Sequence, residues 1–436
     1  MKLFKTLATG AALLSIASMA NADVIFHITG STAFRAGCVT EIQNAINGSA
    51  TIAPQAYDNS TYTSANNLLW TGSNGTLGNY TIKASFNGSG AGVQLVSGSL
   101  AIPFISNTES GLVAVPTVAT TDDVSVPDAA MSDVFQATTG FLGNVPTYLP
   151  LGTNGGGSGT KQNHTYSALT DNEVAIVTFK PMASASFPQG TGTTFVDYTG
   201  TFNVSSYSMR NQVFNATWSN GSTLLSLYTG GTADEASVVW ATGRNQDSGT
   251  RMTYLAEDGY GVNNPVTQYF PTVTSGTVTA VNEYSITTIN GISTLDLGNG
   301  GESSGGTVRG YLAYPFESGT AGYAAALTNG TNGHGYFMTV LGTADSASVA
   351  SAAIELPYDG TYFTDTGVQE GSYSLWSYEH EFLRPGLAGT GLTFANSLAH
   401  DIKTAATSNL ANAGLAASLM QVSRPGDGGQ IGSLNY

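Results

Sequence analysis

The chain has 436 residues, with 13 lysines and arginines against 29 aspartates and glutamates, and its formal net charge is −16. A nucleic-acid-binding surface needs clustered basic residues to neutralise phosphates, so this composition leaves no electrostatic basis for one. The length exceeds what a single compact core usually holds, which predicts two domains.

The first 22 residues have the three parts of a secretory signal. Lys2 and Lys5 precede an apolar stretch, and Ala20-Asn21-Ala22 forms a cleavage site before Asp23. No cysteine stands at the cleavage point, so we expect no lipid anchor. Elsewhere no apolar run reaches the roughly 18 residues of a membrane span. We therefore expect an exported protein, periplasmic or extracellular, that does not span a membrane.

The mature chain opens with a strand pattern that runs into small and hydroxyl residues. Residues 24–28 are apolar except for His27. Gly30, Ser31 and Thr32 follow, and a helical pattern begins near Phe34. The free N–H groups of a helix start, together with its dipole, favour an anion at such a junction. The two hydroxyls would add side-chain donors.

Two later segments repeat this plan. Residues 80–98 pass from a strand through Gly88-Ser89-Gly90-Ala91-Gly92 into a short helix, and a small-residue strand ends in Ser132 and Asp133. Turns at the carboxyl ends of parallel strands meet at one edge of a sheet. We therefore expect these segments to converge in one crevice.

The most informative segment is GRNQDSGTR at residues 243–251. Arg244 stands four residues before Ser248, Gly249 and Thr250, and a helical pattern follows. The hydroxyl and N–H groups would hold an anion, and the Arg244 guanidinium would close the site with a two-pronged, charge-assisted contact. For this segment alone, a serine N-cap with a surface arginine nearby is an equally good interpretation.

Together these motifs resemble the periplasmic phosphate-binding proteins that serve bacterial ABC transporters. The Arg-x-x-x-Ser-Gly-Thr motif at 244–250 is the most specific part of the resemblance. The order of other segments also fits: 174–184 resembles the family's first hinge strand, and 205–219 resembles its helix with an Asn-x-x-Trp-Ser tail. Residues 332–342 resemble a later Gly-Tyr strand, and 365–378 resemble the segment that returns to the first domain.

The resemblance implies an α/β, two-domain type 2 periplasmic-binding-protein fold with two hinge crossovers. To this the chain adds β-rich insertions around residues 100–125 and 262–310. Domain I would be discontinuous, formed by residues 23–175 plus 372–436, and domain II would span 176–371. The sequence of 392–420 indicates one or two amphipathic helices.

The function implied is capture of inorganic phosphate, or a related tetrahedral oxyanion, between the two domains and delivery to an ABC permease. We expect a monomer with no catalytic residue, cofactor or metal. Ser31, Thr32 and Ser89 would donate hydrogen bonds, Arg244 would pair with the charge, and Phe34 would seal the pocket wall. The full set of expected ligand-binding residues is Ser31, Thr32, Phe34, Ser89, Asp133, Arg244, Ser248, Gly249 and Thr250.

Two departures from the family leave the exact anion open. The family's pocket has one aspartate that accepts the proton of hydrogen phosphate, and here that position falls on Asn107 or, if 100–125 is an insertion, on Asp133. Asp133 favours phosphate, whereas an amide at Asn107 would admit sulfate. In addition, Gln246 stands where the family often has an acid that orients the arginine, and Asp247 follows it.

Other interpretations have less support. The five histidines form no metal-spaced pair, and Ser89 lacks the glycine two residues earlier that a nucleophile elbow requires, because Asn87 is there. Cys38 lies in a helical pattern and is expected in the core. A second hypothesis, from the composition rich in glycine, serine, threonine and asparagine, is a secreted or surface attachment protein on the same scaffold with a retained or vestigial pocket.

Overall fold

The computed structural model describes residues 23–48, 52–109, 118, 122–147, 161–184, 187, 221–226, 237–284, 288–289, 292–293, 300–314, 316, 335–349, 352–405 and 413–434. The predicted signal at 1–22 and the predicted helix at 205–219 lie outside these residues. So do residues 332–334 and 406–412 of two other predicted segments.

The strands in chain order are β1 (Val24–Gly30), β2 (Ala56–Tyr57), β3 (Asn67–Asn74), β4 (Gly78–Ser85), β5 (Ile102–Phe104), β6 (Asp123–Ser125), β7 (Ala129–Ser132), β8 (Gly143–Thr147), β9 (Gln162–Tyr166), β10 (Thr170–Ser184), β11 (Ser222–Leu224), β12 (Val238–Ala241), β13 (Tyr269–Thr274), β14 (Thr277–Glu283), β15 (Thr288–Ile289), β16 (Ile292–Ser293), β17 (Gly335–Gly342), β18 (Ala353–Glu355), β19 (Trp376–Leu383), β20 (Leu415–Ala416), β21 (Val422–Ser423) and β22 (Gly432–Ser433).

The α-helices are α1 (Arg35–Asn47), α2 (Ser89–Gly98), α3 (Gln136–Thr139), α4 (Gly249–Glu257), α5 (Gly305–Leu312), α6 (Thr343–Ala347), α7 (Asp365–Glu370) and α8 (Gly389–Thr404). Short 3-10 helices lie at Tyr62–Ser64, Asn107–Glu109 and Ala417–Leu419.

A mixed sheet is the centre of the described part of the chain. It has twelve strands among the described residues, in the order β11-β12-β17-β10-β19-β7-β1-β4-β3-β2, with β18 and β20 also paired to β10. Strand β1 runs parallel to both β4 and β7, and β12 runs parallel to β17. The sheet with its helices confirms the predicted α/β class.

The predicted hinge strand is the longest strand of this sheet. Strand β10 pairs with β19 over residues 170–178 and with β17 over residues 179–183, so one strand joins the two parts of the sheet. The predicted return segment at 365–378 contains α7 and the start of β19. The division into domains I and II stays a prediction.

The predicted strand-to-helix junctions are confirmed at three places. Strand β1 leads to α1, β4 leads to α2, and β12 leads to α4. Helix α1 buries Cys38, Val39 and Ile42 completely, and the ring of Phe26 on β1 packs 5.1 Å from that of Phe394 on α8. Burial of each large apolar side chain contributes about 1.5–3 kcal/mol, which fixes these helices on the sheet.

Both predicted insertions contain strands. In the first, β5 pairs with β6, and in the second, β13 and β14 form a hairpin. Its turn residues Ser275 and Gly276 have φ of 52° and 82°, as expected of the primed turns that suit the twist of a hairpin.

The C-terminal segment contains one described helix, α8, in agreement with the expectation of one or two helices, and residues 413–420 form no α-helix. Residues 415–416 form β20 against β10, followed by a 3-10 helix. Gly414 approaches the Ile176 carbonyl so closely that a Cβ would lie 2.2 Å from its oxygen. Pairing of Leu415 and Ala416 with β10 therefore outweighs the helical propensity of this segment. Across the part of the chain that the structure describes, no helix has the length and apolar character to cross a membrane.

Candidate functional site

The three predicted turns meet at one place. The Arg244 guanidinium nitrogen Nη2 donates to the Thr32 hydroxyl over 2.7 Å, and the Gly90 N–H donates to the Asp247 carbonyl over 2.9 Å. The first contact joins the turn after β1 to the turn after β12. The second contact joins the start of α2 to the turn after β12. The convergence predicted from the sequence is thus present.

Arg244 is buried, with 2% of its surface exposed. Its Nε donates to the Glu302 carbonyl at 3.1 Å, and its Nη2 donates to the Ser303 carbonyl at 2.8 Å as well as to Thr32. Burial lowers the pKa of Arg244, and the charges of Asp345 and Asp133 oppose that shift. Arginine nevertheless stays protonated in proteins. Arg244 is thus a buried cation whose described hydrogen bonds all go to neutral oxygens.

Asp133 lies at the centre of the meeting point and is 1% exposed. Its Oδ1 accepts a short hydrogen bond from the Ser31 hydroxyl, and its backbone N–H donates to the Ser89 hydroxyl at 3.1 Å. Burial raises the pKa of Asp133, while Ser31, Glu379 and Arg244 partly oppose the shift. A carboxylate held this way can accept a proton from a ligand.

Asn107, the alternative to Asp133, is exposed in the 3-10 helix Asn107–Glu109. This helix follows β5 and lies within the segment that was predicted as an insertion. Of the two candidates, Asp133 is the one in contact with other predicted site residues.

The start of α4 packs directly against this carboxylate. A Cβ at Gly249 would lie 2.3 Å from the Ser89 hydroxyl oxygen and 2.6 Å from Asp133 Oδ2, so the position has room only for glycine. Ser248 is the N-cap, and its hydroxyl accepts from the Arg251 N–H at 3.4 Å. The capping interpretation of Ser248 is therefore correct, in addition to its place at the site. Thr250 is buried in the first turn of α4.

Phe34 contributes to the site through its backbone. Its N–H donates to the Ser31 hydroxyl at 3.0 Å, which fixes the oxygen that Ser31 directs at Asp133. The Phe34 side chain is fully buried in the main hydrophobic core. Its role as a pocket wall stays a prediction.

The Arg244 side chain is oriented by backbone carbonyls. The carbonyls of Glu302 and Ser303, just before α5, hold the guanidinium, and neither Gln246 nor Asp247 contributes a described side-chain hydrogen bond to it. Burial raises the pKa of Asp247 to about 6, and its backbone carbonyl holds the α2 start. Sequence reasoning missed residues 302–303, because they follow a long insertion with no recognisable motif.

A second arginine was also missed. Arg35 is the first residue of α1, three residues after Thr32. Its Nη1 donates to Asn66 Oδ1, and its charge is within electrostatic range of Arg244. Burial lowers the pKa of Arg35, whereas Asp345 on α6 raises it. Asp345 also pairs with Arg309 at 3.1 Å. The position of Arg35 beside the hydroxyl turn was a signal that the sequence did contain.

Three of the four described histidines have structural partners, and the fourth, His400, is exposed on α8. His27 Nε2 lies 2.9 Å from Asp123 Oδ2, His164 Nε2 lies 2.9 Å from the Gly98 carbonyl, and His380 Nδ1 lies 2.8 Å from Asp171 Oδ1. His334 lies outside the described residues. Within the described ranges, no group of His, Cys, Asp and Glu side chains is arranged to hold a metal ion.

A cavity of roughly 130 Å³ lies between β10, α6 and α7. It contains none of the nine predicted ligand-binding residues; its lining is Thr178, Lys180, Thr343, Ala347, Phe363, Asp365, Gly414 and Leu415.

Comparison with known families gives no match to any family model, and no curated protein matches the sequence. Several solved structures are similar to the chain. A phosphate ABC transporter substrate-binding protein with bound phosphate from Clostridium perfringens has 11% identity and a TM-score of 0.40, covering 90% of this chain and 98% of that one. An ABC-type phosphate transport receptor from Vibrio cholerae has 12% identity and a TM-score of 0.38, covering 88% and 98%.

PstS from Borrelia burgdorferi has 10% identity and a TM-score of 0.34, covering 88% of this chain and 96% of that one.

Proposed function

We propose that this chain is an exported solute-binding protein that captures inorganic phosphate, or a related tetrahedral oxyanion, and delivers it to an ABC transporter. The observation that carries the proposal is the meeting of Arg244, Asp133 and the starts of α2 and α4 at one buried point. Helix starts offer N–H groups and positive potential, and the arginine adds a full charge.

The charge of Arg244 supports an anionic ligand. Its described hydrogen bonds end on a hydroxyl and two carbonyls, and among the described residues no carboxylate lies within ion-pair distance of it. A buried cation without a direct counter-charge is costly, and a bound anion would relieve that cost. Ser31, Thr32, Ser89, Ser248, Gly249 and Thr250 would surround the same anion.

Asp133 supports phosphate over sulfate. An ionised carboxylate only accepts hydrogen bonds, so it repels an anion that has no proton to donate. Phosphate carries a proton at neutral pH and sulfate does not. Desolvation at a position 1% exposed strengthens both the attraction and the repulsion.

Closure of two domains over the ligand belongs to the same proposal. Domain I would comprise 23–175 plus 372–436, and domain II 176–371, with β10 and the α7–β19 segment as the two crossovers. Contacts from both sides would then form together, and the crossing strands would absorb the rotation. Export by residues 1–22, a monomeric state and an ABC permease as partner complete the proposal, which involves no catalysis.

The test is calorimetric titration of residues 23–436 with phosphate and, separately, with sulfate. We expect heat and thermal stabilisation with phosphate and a weaker response to sulfate. No response to either anion would reject the binding proposal and favour a surface attachment protein with a vestigial pocket. Permease and ATPase genes beside this one would support delivery to a transporter.

A further inference from the structure

Glu379 lies directly behind the candidate site and plays no part in the binding proposal. It is on β19, which pairs with β7 through His380 and Ser132, so this part of β19 runs beside the end of β7 where Asp133 follows. Ser377, two residues earlier, donates a short hydrogen bond to the Asp133 carbonyl. Because alternate residues of a strand share a face, Ser377 and Glu379 both face Asp133.

The Glu379 carboxyl has no ordinary partner. It is 0% exposed, and neither of its oxygens accepts a hydrogen bond from any donor in the described residues. An isolated ionised carboxylate in such a place would be very unfavourable, so the group takes up a proton instead. Burial, and then the neighbouring Asp133, raise the pKa of Glu379 well above its usual range.

Two titratable groups lie within electrostatic range of Glu379. Asp133 raises its pKa, and the buried Cys38 thiol on α1, whose own pKa is raised well above its usual range, stays neutral and supplies no counter-charge. Arg244 acts on Asp133 and is the cation of this cluster. The charge of Arg244 favours ionised Asp133 and partly offsets burial there, whereas burial and the neighbouring Asp133 raise the pKa of Glu379 much further.

We propose that Glu379 carries a proton at neutral pH and directs it at Asp133, which makes Glu379 a specificity-determining positioning residue for a protonated oxyanion. The inference rests on the proposed phosphate-binding function. The neutral carboxylic acid of Glu379 donates a hydrogen bond to the ionised carboxylate of Asp133. Asp133 therefore stays ionised and presents a hydrogen-bond acceptor to the ligand. Without that donor, Asp133 takes up a proton more readily, becomes a donor itself, and tolerates an unprotonated anion such as sulfate.

The experiment compares wild type with Glu379→Gln, Glu379→Leu and a control, Glu381→Gln. Glu381 is on the same strand and equally buried, but it accepts from Asn172 at 3.1 Å and does not act on Asp133. Phosphate and sulfate affinities are measured by calorimetry between about pH 6 and pH 8. The readout is the ratio of the two affinities, which a general loss of packing would not move selectively.

Glu379→Gln keeps a donor and should keep the ratio within a few-fold of wild type, as should Glu381→Gln. Glu379→Leu should lower the ratio by about tenfold or more, since a hydrogen bond to a charged group is lost, and the loss should grow as the pH falls. An unchanged ratio in Glu379→Leu with phosphate binding intact would overturn the inference. Wild type that binds neither anion would instead overturn the proposed function.

A second measurement applies even if Glu379→Leu does not fold. The infrared carbonyl band of a protonated carboxylic acid should be present in wild type at neutral pH. Part of this band should disappear in the near-isosteric Glu379→Gln. Glu381 contributes a separate part, because burial raises its pKa to about 8, and that part is identified by its loss in Glu381→Gln. No loss of acid band in Glu379→Gln would show that Glu379 is ionised and contradict the inference.

Discussion

The Nη2 atom of Arg244 donates to the hydroxyl of Thr32 over 2.7 Å, joining two turns that are 212 residues apart in the chain. The same guanidinium is anchored by the carbonyls of Glu302 and Ser303. These partners are neutral, so no hydrogen bond of the guanidinium is used on a counter-ion, although the charges of Asp345 and Asp133 act on it from a distance. This arrangement makes Arg244 the first residue to test.

Replacement of Arg244 by alanine should weaken phosphate binding by about 2–5 kcal/mol, the usual cost of removing one member of a buried charge pair. Titration calorimetry measures the loss. Arg384→Ala is the matched control, since Arg384 pairs with Asp128 at 2.8 Å and is partly exposed. An Arg244→Ala affinity close to that of Arg384→Ala would show that the arginine does not contact the anion.

Asp133→Asn should weaken phosphate more than sulfate. The amide can donate a hydrogen bond, so the repulsion of an unprotonated anion disappears together with the acceptor for the phosphate proton. We expect phosphate affinity to fall by about 1.5–3 kcal/mol, the range for a hydrogen bond to a charged group. Both anions are titrated against the same preparation.

Asn107→Ala is the control for that experiment, because Asn107 is exposed in its 3-10 helix. Its affinities for both anions should match those of wild type. Equal weakening of phosphate and sulfate by Asp133→Asn, or a selective effect at Asn107, would reverse the assignment of the proton acceptor.

The sequence predicted the parts of the site that are local. A hydroxyl turn followed by a helical pattern is readable within ten residues, so Ser31, Ser89 and Gly249 were found from their own surroundings. The contacts of Glu302, Ser303 and Glu379 depend on which distant strands become neighbours. In the sequence, Glu379 is one of four polar residues among the eight of β19, and only the pairing of β19 with β7 places it behind Asp133.

The C-terminal segment shows the opposite case, because part of its helical pattern lies in a strand. Residues 413–420 contain strong helix formers, yet Leu415 and Ala416 pair with β10. An unpaired buried strand edge costs more than the small helical propensity of a few residues contributes. Tertiary pairing therefore decides the local structure there.

Gly249→Ala should lower phosphate affinity by about tenfold or more. The added methyl would lie 2.3 Å from the Ser89 oxygen and 2.6 Å from Asp133 Oδ2, so the start of α4 must move away from α2. Displacement of groups that position a ligand is costly even at 1 Å. Affinity is measured by calorimetry and thermal stability by circular dichroism.

Gly310→Ala is the matched control, because Gly310 also lies in a helix and a Cβ there meets nothing within 4 Å. It should leave binding unchanged and raise stability slightly, by up to about 1 kcal/mol, since alanine favours the helix. Equal affinities in the two variants would mean that the close approach at Gly249 does not matter for the site.

His27 should make stability depend on pH. Burial disfavours its charged form, but hydrogen bonds and charges from Asp123 and Asp128 outweigh that effect and raise the pKa of His27. A raised folded-state pKa means that protonation stabilises the fold. The contribution is complete below the unfolded value of about 6.5 and is lost as the pH rises through the folded value.

Thermal unfolding of wild type and His27→Gln between about pH 5.5 and pH 9 tests this directly. The wild type should be the more stable at the acid end, and the difference should shrink as the pH rises. His164→Gln is the control, because His164 Nε2 faces the neutral Gly98 carbonyl and no carboxylate is among its described partners. A difference for His27→Gln that stayed constant with pH would mean that the pair with Asp123 and Asp128 carries no charge. The first insertion would then be held to β1 by packing, such as that of the His27 ring against Phe104 at 4.7 Å, and not by an ion pair.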